Sequence, residues 1–480
     1  MKRRITSFVF ALLLAVNIFS SAIPMGTVHA EIAPYKVKVS QYKYAKTVKL
    51  KVKKGADISG PINQQITVLR TNRDTINKIT RIVIPAGNYK LKEPIQVYGN
   101  IMLDCSKNVT IYCKFKMSNM ICQATKEYNS DPKLSSGYGS IKNIFILGGT
   151  WIGKNSNKST LMRMSHCKNL TFDGCTFIDG GGKHQVELAA VKNCTIKHCT
   201  FQDMAVKSSG SEKCEALQFD APCHTRIYKE TYEDGTPMKN VTVTDCYFKN
   251  VPRGIGTHNL LVGAYHTNVE ISNNRFENVP QGAIVALGFK NATITGNVIS
   301  ECSAGILVQN FKSGASAVYN TIFDGTVPYN KPFTQNVNCL IANNYIVTSN
   351  SSYDGENVAI KVYGCILSSD TKSPRGSTDT IPGGDYRISN VTIVNNTIQS
   401  HKHGIHLYGA CNTTVSGNTI IGSPNAFFTG HSIWAEGNST GLIIENNTIK
   451  KVGYRGIYIN KNSSVNSLKN NSIEPEILGF

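Results

Sequence analysis

Residues 268–310 read NVEISNNRF-ENVPQ-GAIVAL-GFK-NATITGNVI-SECSA-GILVQN, and the pattern inside them returns along most of the chain. A strand that ends in an Asn-rich turn is followed, after a short connection, by a strand that opens with Gly. The first kind recurs as NVTVTDCYF from Asn240, NVTIVNNTI from Asn390, TTVSGNTII from Thr413 and LIIENNTIK from Leu442. The second recurs as GIGTHN from Gly254, GIHLYG from Gly404 and GIYINK from Gly456. Within each strand, alternation sends every second side chain to the same face. A unit this short cannot bury an apolar face alone, so stacked copies must share one continuous core. Short strands with Asn and Gly turns select a β-helix over helical repeats.

With these repeats and the segment Gly149-Thr150-Trp151-Ile152-Gly153, the chain resembles the pectate-lyase-like superfamily of right-handed parallel β-helices over most of its length. The resemblance implies an all-β, single-stranded right-handed parallel β-helix solenoid with an N-terminal cap and long loops beside a groove. Residues Pro61 to Thr71 fit the capping helix, and RIVIPAGNYKL from Arg81 fits the first strand and turn. Long inserts at Ser208–Cys214, His224–Lys239, Asn310–Asn338 and Ser368–Asp385 fit the groove walls.

Outside the repeats, Lys2, Arg3 and Arg4 precede an apolar run from Val9 to Val16 and small residues ending in Val28-His29-Ala30, the pattern of a secretory signal peptide. The expected organisation is a signal peptide over 1–30, a basic segment over 31–55 and the β-helix domain over 56–480. No later stretch is long and apolar enough for a membrane span. The expected location is extracellular, either released or loosely bound to the cell wall. The formal charge of +20 falls by only the three charges of the leader, so an acidic partner is favoured. Residues Tyr35 to Lys54 hold eight lysines, read either as a solvated edge strand or as an electrostatic wall-binding arm.

Aligned strands place Cys175, Cys199 and Cys246 at the turn position of Asn274 and Asn297. A buried ladder of free thiols follows, because disulfide geometry is specific and stacked rungs need not supply it. No CxxC pair or His/Cys ligand spacing appears, so no metal site is assigned; the reading calls for no cofactor and leaves calcium open.

Stacking the Gly-led strands with their early counterparts LMRMS, VELAA, LQFDA and IGTHN turns Met162/Met164, Val186/Leu188, Leu217/Phe219 and Ile255/Thr257 inward. One outward column then reads Arg163, Glu187, Gln218, Gly256, and the next reads Ser165, Ala189, Asp220, His258. Glu187 and Asp220 are offset by one rung and two residues, roughly 8 Å. That lies in the approximately 6.5–9.5 Å window of inverting glycoside hydrolysis. Glu187, Asp220 and His258 are the catalytic candidates, set against the alternative of ordinary charges on a solvated sheet. Arg163 is placed to hold Glu187 ionised. His184, Glu215, Gln218, Arg253, Gln309 and Lys361 are candidate substrate contacts. Tyr408 and Trp434, read with Tyr458 as outward in consecutive rungs, would offer ring faces to sugars.

The resemblance covers hydrolases, lyases, C5-epimerases and non-catalytic binding proteins, and fold alone does not choose among them. Polygalacturonase-like elements are absent, with Gly430-His431-Ser432 only a partial echo of Gly-His-Gly. The Arg-x-Pro-x-x-Arg segment of calcium-dependent pectate lyases lacks its first Arg at Val251-Pro252-Arg253-Gly254. The reading is a glycoside hydrolase using a carboxylate pair. A polysaccharide lyase or C5-epimerase acting on uronates, with His258, Arg163 or Arg253 as base or charge stabiliser, is the first alternative. A glycan or cell-wall binding protein is the second. The expected partner is a polysaccharide or oligosaccharide, acidic ones included, rather than nucleic acid, and the protein is read as a monomer.

Overall fold

Each coil of the chain contributes strands to two long parallel sheets. The strand Val186–Ala189 leads into Lys192–Lys197 and then Thr200–Gln202, after which the path returns at Glu215–Asp220 directly beside the starting strand. Lys192–Lys197 pairs in parallel with Lys239–Thr244, and Thr200–Gln202 with Tyr247–Lys249, so successive coils lie in register. Strands of the second and third kinds form one 26-stranded sheet, and those of the first kind a 12-stranded sheet.

The computed structural model describes residues 35–474 apart from 116–118, 124–135, 154–159, 181–182, 205–213, 223–233, 258, 262, 311–318, 322–332, 350–356, 373–379, 382, 423–429 and 453. The expected signal peptide over 1–30, His258 and most of the four long inserts lie outside the described residues. Among the described residues, no helix is long and apolar enough to cross a membrane.

The core is built from columns. Phe177, Phe201, Phe248 and Phe276 stack ring on ring with centroids 5.0, 4.7 and 4.7 Å apart. The register carries the same column through Ile299, Ile346, Ile398, Ile420 and Ile449. A helix, α1 (Ser59–Thr71), spans the stretch expected to cap the solenoid and buries Ile62, Ile66 and Leu69.

The Asn-rich turns have a backbone cause. Asn273, Asn343 and Asn395 hold φ of 56°, 56° and 55°, left-handed values that Asn tolerates better than most residues. The next residue then points inward. Asn344 donates through Nδ2 to the Ile294 carbonyl at 3.0 Å and to Asn396 Oδ1 at 2.9 Å. Its own Oδ1 accepts the backbone N–H of Asn297. The ladder runs through Asn274, Asn297, Asn344, Asn396, Asn418, Asn447 and Asn471.

Upstream, Cys246 hands its backbone N–H to Asn274 Oδ1, so the thiols do continue the ladder. Cys175, Cys199 and Cys246 donate their S–H groups to backbone carbonyls at 3.2–3.3 Å. All described cysteines are free thiols.

The lysine-rich segment is ordered along the solenoid. Lys46–Lys49 pairs in parallel with Thr80–Val83 as an edge strand. Tyr42 Oη and Gln41 Nε2 donate to Asp173 Oδ2 at 2.6 and 3.0 Å, and Tyr35 stacks on His198 with centroids 3.7 Å apart. Gly174, at φ +66°, leaves room for this docking, since a Cβ there would sit 2.5 Å from Val37.

Candidate functional site

The outer face of the 12-stranded sheet carries the expected columns. Arg163 pairs with Glu187, Glu187 with Gln218 and Gln218 with Gly256, while Ser165, Ala189 and Asp220 form the neighbouring column. Asp220 therefore sits one rung and two residues from Glu187, as the alignment required. Met162, Met164, Val186, Leu188, Leu217, Phe219, Ile255 and Thr257 all face inward and are buried.

One expectation fails. These carboxylates are not charges on a solvated sheet, because Glu187 is 2% exposed and Glu215 and Asp220 are 0% exposed. Each is held by specific partners. Arg163 donates from Nε and Nη2 to Glu187 Oε2 at 2.8 and 2.6 Å, and Thr160 adds a bond at 2.9 Å. Arg253 Nη1 reaches Glu215 Oε1 at 2.6 Å, and His184 Nδ1 lies 3.5 Å from Glu215 Oε2. Gln218 Nε2 donates to Asp220 Oδ2 at 2.7 Å.

Gly256 makes this crowding feasible: a Cβ there would lie 2.9 Å from Glu215 Oε1. Burial pushes the Glu187 carboxyl up, but the charges of Arg163 and His184 and the bonds from Arg163 and Thr160 outweigh it. The net result lies below the ordinary carboxylate range. Two buried polar atoms, Arg253 Nε and Gln218 Oε1, have no hydrogen-bond partner among the described residues.

Arg163, His184, Glu187, Glu215, Gln218, Asp220 and Arg253 thus come together as one cluster. Thr160 joins it without having been anticipated, because it precedes its strand, where alternation gives no signal. Gln309 and Lys361 continue the two columns farther along, but a buried apolar patch of Val285, Ala304, Leu307 and Val358 intervenes.

The later aromatic residues stand on consecutive rungs, as expected, but in two columns. Trp434 pairs with His406 and Tyr458, whereas Tyr408 belongs to the next column, beside Tyr363 and Glu436. The His406 and Trp434 rings stack at 4.1 Å and 5°, and Tyr363 and Tyr408 at 5.1 Å and 18°. Side chains standing on adjacent rungs therefore stack on one another, Trp434 in one column and Tyr408 in the next. His403 and His431 extend this stack, a grouping that alignment did not flag. Burial, then the neighbouring Lys402, His406, His431 and Lys361, lowers His403 to about 3. Among the described residues, no group of three or more His, Cys, Asp or Glu side chains is arranged to hold a metal ion.

Comparison with known proteins matches residues 352–476 to the family described as "Right handed beta helix region". Plasmin and fibronectin-binding protein A of Streptococcus pneumoniae is 22% identical over 394 residues, 76% of this chain. The chain spans about half that relative's length. A solved structure of that surface adhesin superposes with a TM-score of 0.59 at 19% identity, covering 89% of this chain and 100% of the other. The A-module of the Azotobacter vinelandii mannuronan C-5 epimerase AlgE6 gives 0.51 at 13% identity, covering 88% and 96%. The catalytic unit of a GH87 α-1,3-glucanase from Streptomyces thermodiastaticus gives 0.54 at 16% identity, covering 89% and 68%. At these identities the likeness speaks for architecture, and it agrees with the coil register: the chain is a right-handed parallel β-helix.

Proposed function

We propose that the protein is a glycan-processing β-helix working outside the cell or at its surface, and that the Glu187–Asp220 pair hydrolyses a glycosidic bond with inversion. The observation that carries this reading is a buried polar cluster on the outer side of the solenoid, away from the continuous core inside it. Burying ionised groups is costly, and clustered buried charges of this kind are often functional. Glu187, kept ionised by Arg163, is the base that takes a proton from water as that water attacks the anomeric carbon. Asp220 donates a proton to the departing glycosidic oxygen. Arg253 and Gln218, each with an unsatisfied polar atom, are the substrate contacts. The signal-like leader and the surface location in the name of the pneumococcal adhesin support work outside the cell.

A second reading has its own support. Glu187 Oε2 takes three hydrogen bonds from Arg163 and Thr160, as in a structural ion network, and the similar pneumococcal protein is described as an adhesin. The protein would then bind glycan without cleaving it.

One assay separates the readings. Incubation with a glycan panel should release new reducing ends without unsaturated uronate, and Glu187→Gln and Asp220→Asn should each lower the rate by about 10²–10⁴-fold. Unsaturated product would transfer the cluster to lyase chemistry. Binding without turnover, unchanged by both substitutions, would favour the adhesin reading.

A further inference from the structure

The eight lysines between Lys36 and Lys54 are all exposed, and no Asp or Glu occurs from Tyr35 to Ala56. Among the described residues none of them forms an ion pair with a carboxylate. A charge run of this kind is usually a solvated tail, yet this one is held in place at three points. Lys46–Lys49 is hydrogen-bonded to the first coil, Gln41 and Tyr42 bind the buried carboxylate of Asp173, and Tyr35 stacks on His198. His198 Nδ1 is itself 2.9 Å from Asp173 Oδ1, so one acidic group organises two of the three attachments.

Ordering like charges on a fixed backbone raises their mutual repulsion, which counter-charges relieve. Fixing them beforehand also removes the entropy that a flexible arm would lose on binding. We propose that this lysine edge is a docking surface for a linear polyanionic polymer, one bearing a phosphodiester or a carboxylate on its repeating units. It lies on the N-terminal edge strand and on the large sheet, not on the sheet that carries the carboxylate cluster, so docking stands whether or not that cluster is catalytic. For a polymer that is also the substrate, the edge would hold the chain while the cluster works elsewhere along it.

The test measures binding of the protein to poly(glycerol phosphate), to polygalacturonate and to neutral dextran at rising NaCl. Binding to one or both polyanions and not to dextran is expected, with affinity falling at least about tenfold between roughly 50 and 300 mM salt. Preference for one polyanion identifies the anionic group that is recognised. Changing Lys46, Lys49, Lys51 and Lys53 together to Glu should weaken binding at least about tenfold while leaving the thermal midpoint unchanged. The same charge change at Lys183, Lys402, Lys451 and Lys461, outside the strands of that sheet, should leave affinity within about twofold. Equal losses in the two quadruple variants would reduce the effect to net charge and overturn the proposal. Retained binding in the first variant, or no polyanion binding even at low salt, would overturn it as well.

Discussion

Burial works against the negative charge of Glu187, while Arg163, His184 and Thr160 work for it and prevail. A carboxyl held below its ordinary value of about 4.3 stabilises the fold at every pH above that value. The stabilisation is lost as pH falls through the lower folded value. Replacing Glu187 with Gln should therefore destabilise the protein by about 1.5–3 kcal/mol at neutral pH, and the gap should narrow as pH falls below the ordinary carboxylate range. Urea unfolding at a series of pH values checks this; a gap that persists unchanged in acid would mean that the Arg163–Glu187 charge pair contributes nothing. The residues of this cluster could be found by alignment because register alone fixes which outward side chains are neighbours. Their burial could not be found that way, since alternation says which face a side chain takes and not what packs over it.

Within a coil, the decisive element is the turn that puts one residue in the left-handed region and the next into the interior ladder. Asn396 illustrates the stakes: its amide donates to Asn418 Oδ1 and the Ile341 carbonyl, and its oxygen accepts from Asn344. Asn396→Ala should cost about 3 kcal/mol by orphaning buried groups on both sides, with the loss read as a lower urea midpoint. A change under about 0.5 kcal/mol would show that water replaces the amide. This ladder was legible in the Asn-Asn and Gly-Asn pairs of the sequence. The aromatic ladder was not, because alternation assigns Tyr408 and Trp434 to the outer face without saying which rung partners meet or how their rings turn.

Across the whole molecule, the fold was readable because the same pattern is written many times, whereas each functional group is written once. The thiols offer a global check on the interior. Burial pushes Cys302 and Cys339 up to about 12 and Cys365 to about 11, leaving almost no reactive thiolate at neutral pH. Ellman's reagent should label few of the fourteen cysteines in the native protein and all of them in concentrated guanidinium. Rapid native labelling of most thiols would mean that the coils open readily.

Successive rungs of the asparagine ladder are separated by 23, 47, 52, 22, 29 and 24 residues, yet their amides meet in the same place. What a neighbour recognises is the position of a side chain in the stack, not the length of chain that delivered it. For heredity this has a consequence. An in-frame duplication or loss of the DNA encoding one full coil presents to its neighbours a surface they already fit, while a one-residue slip within a strand turns its apolar set outward. A gene of this kind can change length in whole-coil steps and keep its product folded.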